Sequence, residues 1–222
     1  TAAFTPPTAP LTAITNTSLL LNFTNGSILD STAKNDLETV GDAQISTSTK
    51  KFGTGSLKFD GTGDYLFFNG GILFAFGTGD FTIEFWIQIN NTTGIQVIYD
   101  GRPQGVNGDQ PILYLSSGSI RYQTSSVLRI TGSTLSTGQW YHVALCRSGT
   151  STKIFLDGIQ TGSTFTDTTN YVNGVNRPAI GADAGTSFTN GLNGYIDDLR
   201  ITKGVARYTA TFTPPTRQLP AR

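Results

Sequence analysis

Phe81-Thr-Ile-Glu-Phe-Trp-Ile-Gln-Ile89 decides the fold class. Its odd positions, Phe81, Ile83, Phe85, Ile87 and Ile89, are all large and apolar, and they alternate with Thr82, Glu84, Trp86 and Gln88. A period of two over nine residues is the pattern of a β-strand with one face on a core. Blocks of the same style stand on either side. They include Gly55-Ser-Leu-Lys-Phe-Asp-Gly61, Trp140-Tyr-His-Val-Ala-Leu-Cys-Arg147, Lys153-Ile-Phe-Leu-Asp-Gly158 and Gly191-Leu-Asn-Gly-Tyr-Ile-Asp-Asp-Leu-Arg-Ile201. Gly and Asp at their ends are turn formers. Ser18–Phe23, Tyr65–Phe68, Ile95–Tyr99, Ile112–Leu115, Ser119–Gln123, Ser126–Ile130 and Ala179–Gly181 also read as strands. No stretch has the periodicity of a helix longer than about two turns, and a short helical turn is expected near Val205–Tyr208. The expectation is an all-β sandwich.

The blocks from about Ser18 to Ile201 carry a resemblance to the laminin-G-like, concanavalin A-like domains, and more narrowly to the tandem units of bacterial surface proteins and phage virion proteins. The resemblance implies a two-sheet antiparallel jelly-roll β-sandwich. It also implies a binding or structural module of a larger surface or virion protein, used for adhesion, glycan attachment or particle decoration.

Composition agrees with such a setting. The 222 residues suffice for one large sandwich with a substantial core. Net charge is zero and no Lys/Arg cluster is present, which argues against nucleic acid as a partner. No apolar run has transmembrane length. The single cysteine, Cys146, excludes a disulfide within the chain and lies in an apolar strand.

The two ends echo each other. Ala3-Phe-Thr-Pro-Pro-Thr8 matches Thr211-Phe-Thr-Pro-Pro-Thr216 with one substitution. Such Pro-rich segments read as stiff junctions between repeat units. The expected division is a junction over 1–17, a sandwich over 18–203 and a Pro-containing C-terminal junction or tail over 204–222.

Catalytic candidates are sparse. Glycoside hydrolysis uses two facing carboxylates, and the β-glucan-cleaving relatives of this fold carry Glu-x-Asp-x-x-Glu on one strand. Only two Glu occur here, Glu38 and Glu84, far apart in sequence, and the Glu-x-Asp-x-x-Glu pattern is absent. The one histidine, His142, sits inside a strand pattern and reads as structural. The expectation is no enzymatic activity, with a carbohydrate-active enzyme as the alternative. A further alternative is a shell or spacer protein that forms a symmetric oligomer.

Binding candidates are richer. Calcium prefers several hard oxygen ligands, and Asp residues crowd the Gly/Asn-rich loops. The resemblance implies a metal at the rim of the sandwich, for which Asp30, Asn35, Asp36 and Asp197 are candidates. Asp60 and Asp64, in Phe59-Asp-Gly-Thr-Gly-Asp-Tyr65, are the alternative set. A glycan site needs an aromatic platform ringed by amide, carboxylate and guanidinium groups. Trp86 supplies one platform. The polar loop Tyr99–Asp109 supplies Asp100, Arg102, Asn107 and Asp109, and the strands after it supply Tyr114, Arg121 and Tyr122. The expected partner is a cell-surface glycan or polysaccharide, or neighbouring virion or surface subunits. The expected location is the virion or the extracellular surface.

Overall fold

The structure, a computed structural model, describes residues 16–21, 37–68, 72–103, 108–172, 178–186 and 188–218. Among these, fifteen strands follow in order: β1 (Thr17–Leu21), β2 (Leu37–Val40), β3 (Gln44–Ser46), β4 (Ser56–Asp60), β5 (Tyr65–Phe68), β6 (Phe81–Ile89), β7 (Ile95–Asp100), β8 (Ile112–Ser116), β9 (Ser119–Thr124), β10 (Val127–Thr134), β11 (Trp140–Ser148), β12 (Ser151–Leu156), β13 (Ile159–Thr166), β14 (Ala179–Ile180) and β15 (Asn193–Lys203). The described residues include no α-helix. The only helical pieces are two 3-10 turns, Ile72–Phe74 and Ala184–Thr186.

The strands form two antiparallel sheets. One runs β13-β12-β11-β6-β15-β4-β3, with β1 added alongside β15, and the other runs β10-β9-β8-β7-β14-β5-β2. The alternation in β6 sets the layering. Phe81, Ile83, Phe85, Ile87 and Ile89 are fully buried between the sheets, in one cluster with Tyr99, Leu113, Leu115, Val143, Leu145 and Ile196. A period of two then directs Thr82, Glu84, Trp86 and Gln88 to the outer face of the first sheet.

β15 binds the halves of its sheet together. Gly194–Ile196 pair with Phe59–Leu57 of β4, while Leu199–Ile201 pair with Leu21–Leu19 of β1. Between them, a bulge at Asp197–Arg200 interrupts the ladder to β6, with Asp198 at φ 49°. The bulge puts an extra residue into β15.

Three strands lay outside the sequence reading: β2, β3 and β13. Their apolar alternation is weak, because each has exposed or half-buried positions on both faces. The helical turn expected near Val205–Tyr208 does not form. Thr82 takes up the backbone there, its hydroxyl donating to the Val205 carbonyl at 2.9 Å and accepting from the Arg207 amide at 2.9 Å.

The segment after β15 does not project as a tail. As far as Gln218 it lies across the outer face of the first sheet as a strap. Phe212 stacks on Tyr208 with ring centroids 3.6 Å apart and meets His142 and Phe155 edge-on. Lys153 donates from Nζ to the Thr209 carbonyl at 2.9 Å. Ala144, Cys146 and Phe155 form the apolar patch that Tyr208 and Phe212 cover. The N-terminal echo at 3–8 lies outside the described residues.

Candidate functional site

The sequence candidates separate onto different surfaces. Under the strap, Glu84 is wholly buried. Arg200 donates to its Oε1 from Nε at 2.8 Å and from a terminal nitrogen at 2.6 Å. Tyr208 donates to Oε2 at 2.8 Å, and His142 Nε2 lies 3.4 Å from the same oxygen. Burial alone would raise this carboxyl, but Arg200, His142 and Tyr208 outweigh it and hold it at about 2. Such a carboxylate is a permanently charged structural acceptor.

Trp86 is also on this outer face, at the end of the strap. Lys51 Nζ sits 4.0 Å over its ring and Phe52 meets it edge-on. With Trp140, Asp157 and Thr213–Thr216 they line a recess of about 540 Å³. The indole Nε1 of Trp86 is buried and has no hydrogen-bond partner.

Asp197 lies beside Trp86 in register. Its Oδ2 accepts from the backbone amides of Lys51 and Phe52 at 2.8 and 3.0 Å, and its Oδ1 from the Asp198 amide at 2.8 Å. These bonds pin the Lys51–Phe52 loop, so the carboxylate closes a loop. Burial pushes it up to about 6 against the pull of the three amides. Its supposed partners Asp30, Asn35 and Asp36 lie outside the described residues.

The alternative acidic set is brought together, with one member added. Carboxylate oxygens of Asp42, Asp60 and Asp64 lie within 4.8 Å of one another. Asp64 is buried and accepts from the Asp42 amide at 2.8 Å and from the Asp60 amide at 3.0 Å. Its hydrogen bond and charge raise the Asp42 carboxyl, with Asp60 adding to the repulsion. Three hard oxygens converging at mutual repulsion suit a divalent cation. Asp42 was missed because it joins the set across strands, at a sequence distance of 22 from Asp64.

The polar-loop residues gather on the outer face of the second sheet. Tyr114 and Arg121 are register partners there, and Val97 lies opposite Tyr114 on its other side. Arg102 donates from Nε and a terminal nitrogen to Asp100, at 3.0 and 2.7 Å, and pairs also with Asp183. Burial pushes the Asp100 carboxyl up while Arg102 pulls it down, the first effect being larger. Gly185 makes room for this arrangement, since a Cβ there would stand 2.4 Å from the Arg102 guanidinium carbon. Arg102, Tyr114, Ile112, Gln123, Asp183 and Asn190 line a recess of about 230 Å³, with Ile95 and Val97 at its edge. Gln123, Asp183 and Asn190 were not legible as site residues, because they come from three separate segments.

Of the expected glycan set, Arg102 and Tyr114 line this recess, whereas Tyr122, Trp86 and Asp109 do not. Tyr122 points inward, since the strand alternation that turns Arg121 and Gln123 out turns it in. It is fully buried and shares a hydrogen bond with the Tyr171 hydroxyl, which donates to Asp167 at 2.7 Å. Trp86 is on the other sheet, so it cannot serve the same recess. Asp109 is exposed, its carboxylate bonded to the Ser125 hydroxyl. Asn107 lies outside the described residues.

With this geometry in place, comparison with known proteins is informative. Residues 60–207, more than half of the chain, match the family model of the concanavalin A-like lectin/glucanases superfamily. The chain belongs to that family. Among solved structures it resembles the binding domain of Paraclostridial Mosquitocidal Protein 1, with a TM-score of 0.67 and 16% identity over 86% of this chain and 49% of that one. It also resembles a botulinum neurotoxin type C structure described as showing that cell entry depends on two ganglioside molecules, with a TM-score of 0.64 and 14% identity over 86% and 48%. A third is the binding domain of botulinum neurotoxin DC in complex with SialylT, with a TM-score of 0.64 and 14% identity over 86% and 49%. At these identities the likeness is one of fold, and the chain spans about half the length of those chains. No curated protein sequence matches the chain. Among the described residues no helix is long and apolar enough to cross a membrane.

Proposed function

We propose that the chain is a non-enzymatic binding module of a larger modular surface or virion protein, and that it attaches to a cell-surface glycan through the outer face of the second sheet. The observation that carries this reading is the recess around Tyr114. An aromatic ring there is surrounded by one guanidinium, two amides and one carboxylate, supplied by Arg102, Gln123, Asn190 and Asp183. Its volume of about 230 Å³ fits a small polar ligand such as one sugar ring. The ion pairs to Asp100 and Asp183 fix the Arg102 guanidinium in advance, which lowers the ordering cost of binding. Two fold relatives described as binding domains, one of them in complex with SialylT, and a third whose description ties cell entry to two ganglioside molecules, support a carbohydrate partner.

The burial of Glu84 supports the non-enzymatic half of the proposal. Both its oxygens are occupied, and a pKa of about 2 makes it useless as an acid near neutrality. Calcium at Asp42, Asp60 and Asp64 is a structural adjunct in this reading, holding the β4–β5 turn to the loop after β2.

The test is a glycan array probed with the wild-type chain and with Tyr114→Ala and Gln123→Ala. The expected result is selective binding to one glycan class, reduced at least tenfold in both variants while their melting curves stay cooperative. Binding unchanged by both substitutions, or glycosidic cleavage abolished by Glu84→Gln, would overturn the proposal.

A further inference from the structure

The strap face already shows what it binds. The pentapeptide Phe212-Thr-Pro-Pro-Thr216 is seated on it by three kinds of contact. The Phe212 ring fills a site made by Tyr208, His142 and Phe155. The Phe212 amide donates to the Gly158 carbonyl at 2.9 Å. Pro214 and Pro215 lie at the recess walled by Trp86 and Trp140. Aromatic-lined grooves that take Pro-rich segments are a recurring mode of recognition, because such segments lose little entropy on docking.

The same five residues occur once more in this chain, as Phe4-Thr-Pro-Pro-Thr8. We infer that the strap face is a receptor for the Phe-Thr-Pro-Pro-Thr segment, and that the N-terminal copy is its second ligand, taken by the strap face of another copy of this chain. The contacts that residues 212–216 make with His142, Phe155, Gly158 and the two tryptophans are available to residues 4–8, because the side chains are identical. The C-terminal copy wins within one chain, since its short tether to β15 gives it a high effective concentration. The N-terminal copy prevails wherever the local strap is displaced. The contact it makes is heterologous, one end of one copy on the face of the next. It therefore links one copy to the next, in an open row or a closed ring. This inference is independent of the sugar recess, which lies on the opposite sheet.

The experiment is a fluorescence-anisotropy titration of labelled peptide Thr1–Thr8 into the full-length wild-type chain, Phe212→Ala, and Phe212→Ala/Phe155→Ala. The expected result is weak binding to wild type, at least tenfold tighter binding to Phe212→Ala, and loss in the double variant. A peptide with Phe4→Ala is expected to bind none of them. Equal binding of both peptides, or binding indifferent to Phe155, would overturn the inference. If Phe212→Ala is unfolded by circular dichroism, wild type is photo-cross-linked to a peptide carrying benzoylphenylalanine in place of Phe4. Adducts within residues 142–158 support the inference, and adducts elsewhere, or none, overturn it.

Discussion

The carbonyl of Phe212 stands 1.9 Å from where a Cβ on Gly158 would be, so the strap lies on bare backbone that only glycine provides at this point. Gly158 also has φ 80° and follows Asp157 at φ 48°, a pair of left-handed residues that closes the β12–β13 hairpin. One residue thus makes both the turn and the seat for the strap.

Gly158→Ala should therefore lift the strap as well as strain the turn. Backbone strain of this kind costs ~1–3 kcal/mol. The strap also buries Cys146, whose thiol burial pushes up to about 12. Native wild type should react very slowly with a thiol reagent at pH 8, and Gly158→Ala markedly faster. Thiol kinetics beside a urea melt check this, and equal labelling rates would refute it.

The Glu84–Arg200 pair predicts the acid limb of stability. Glu84 is held at about 2 against an ordinary 4.5. Its folded pKa is the lower one, so its contribution is complete above about pH 4.5 and is lost as pH falls toward 2. Glu84→Gln should lose ~3–5 kcal/mol at neutral pH, because Arg200 stays buried without a charged partner. The variant should also show a flatter acid limb than wild type in urea melts from pH 2 to 7.

Asp197 predicts the opposite sign. Its carboxyl is raised from 3.8 to about 6 by burial. The folded state then holds the proton more tightly than the unfolded one. The contribution to stability is full below about pH 3.8 and is lost as pH rises toward 6. A shift of about two units corresponds to ~3 kcal/mol. The stability difference between wild type and Asp197→Asn should fall by about that amount between pH 4 and 7, and a difference that rises would contradict it.

The acidic triad predicts a calcium effect on the melt. A cation held by Asp42, Asp60 and Asp64 would bind only the folded state, and calcium at 100 times Kd adds about 2.7 kcal/mol. The melting temperature should rise with calcium and fall back with EDTA, and Asp42→Asn should remove the response. Asp64→Asn is a poorer probe, because that carboxylate also accepts two backbone amides. A melt indifferent to calcium would leave the triad as a turn-forming cluster.

The sequence by itself determined the sandwich and its layering. The nine-residue alternation at Phe81–Ile89 commits five large side chains to one face, and burying that face requires a second sheet. It also named Arg102 and Tyr114 as candidates, from the polar loop and the strands that follow it, and the structure sets both at one recess. Tertiary structure decided the rest, because the contacts concerned join residues far apart in the chain. Glu84 meets Arg200 at a separation of 116 residues and Tyr208 at 124. No local pattern announces such a pair, so a strand carboxylate that looked available is in fact sealed. The alternation that exposes Arg121 buries Tyr122, yet which face is inner is fixed only when the sheets stack. The Phe-Thr-Pro-Pro-Thr segment reads as a spacer in isolation. It becomes a strap because strands β6, β11 and β12 present the aromatic patch, and the β12–β13 turn the bare glycine, on which it lies.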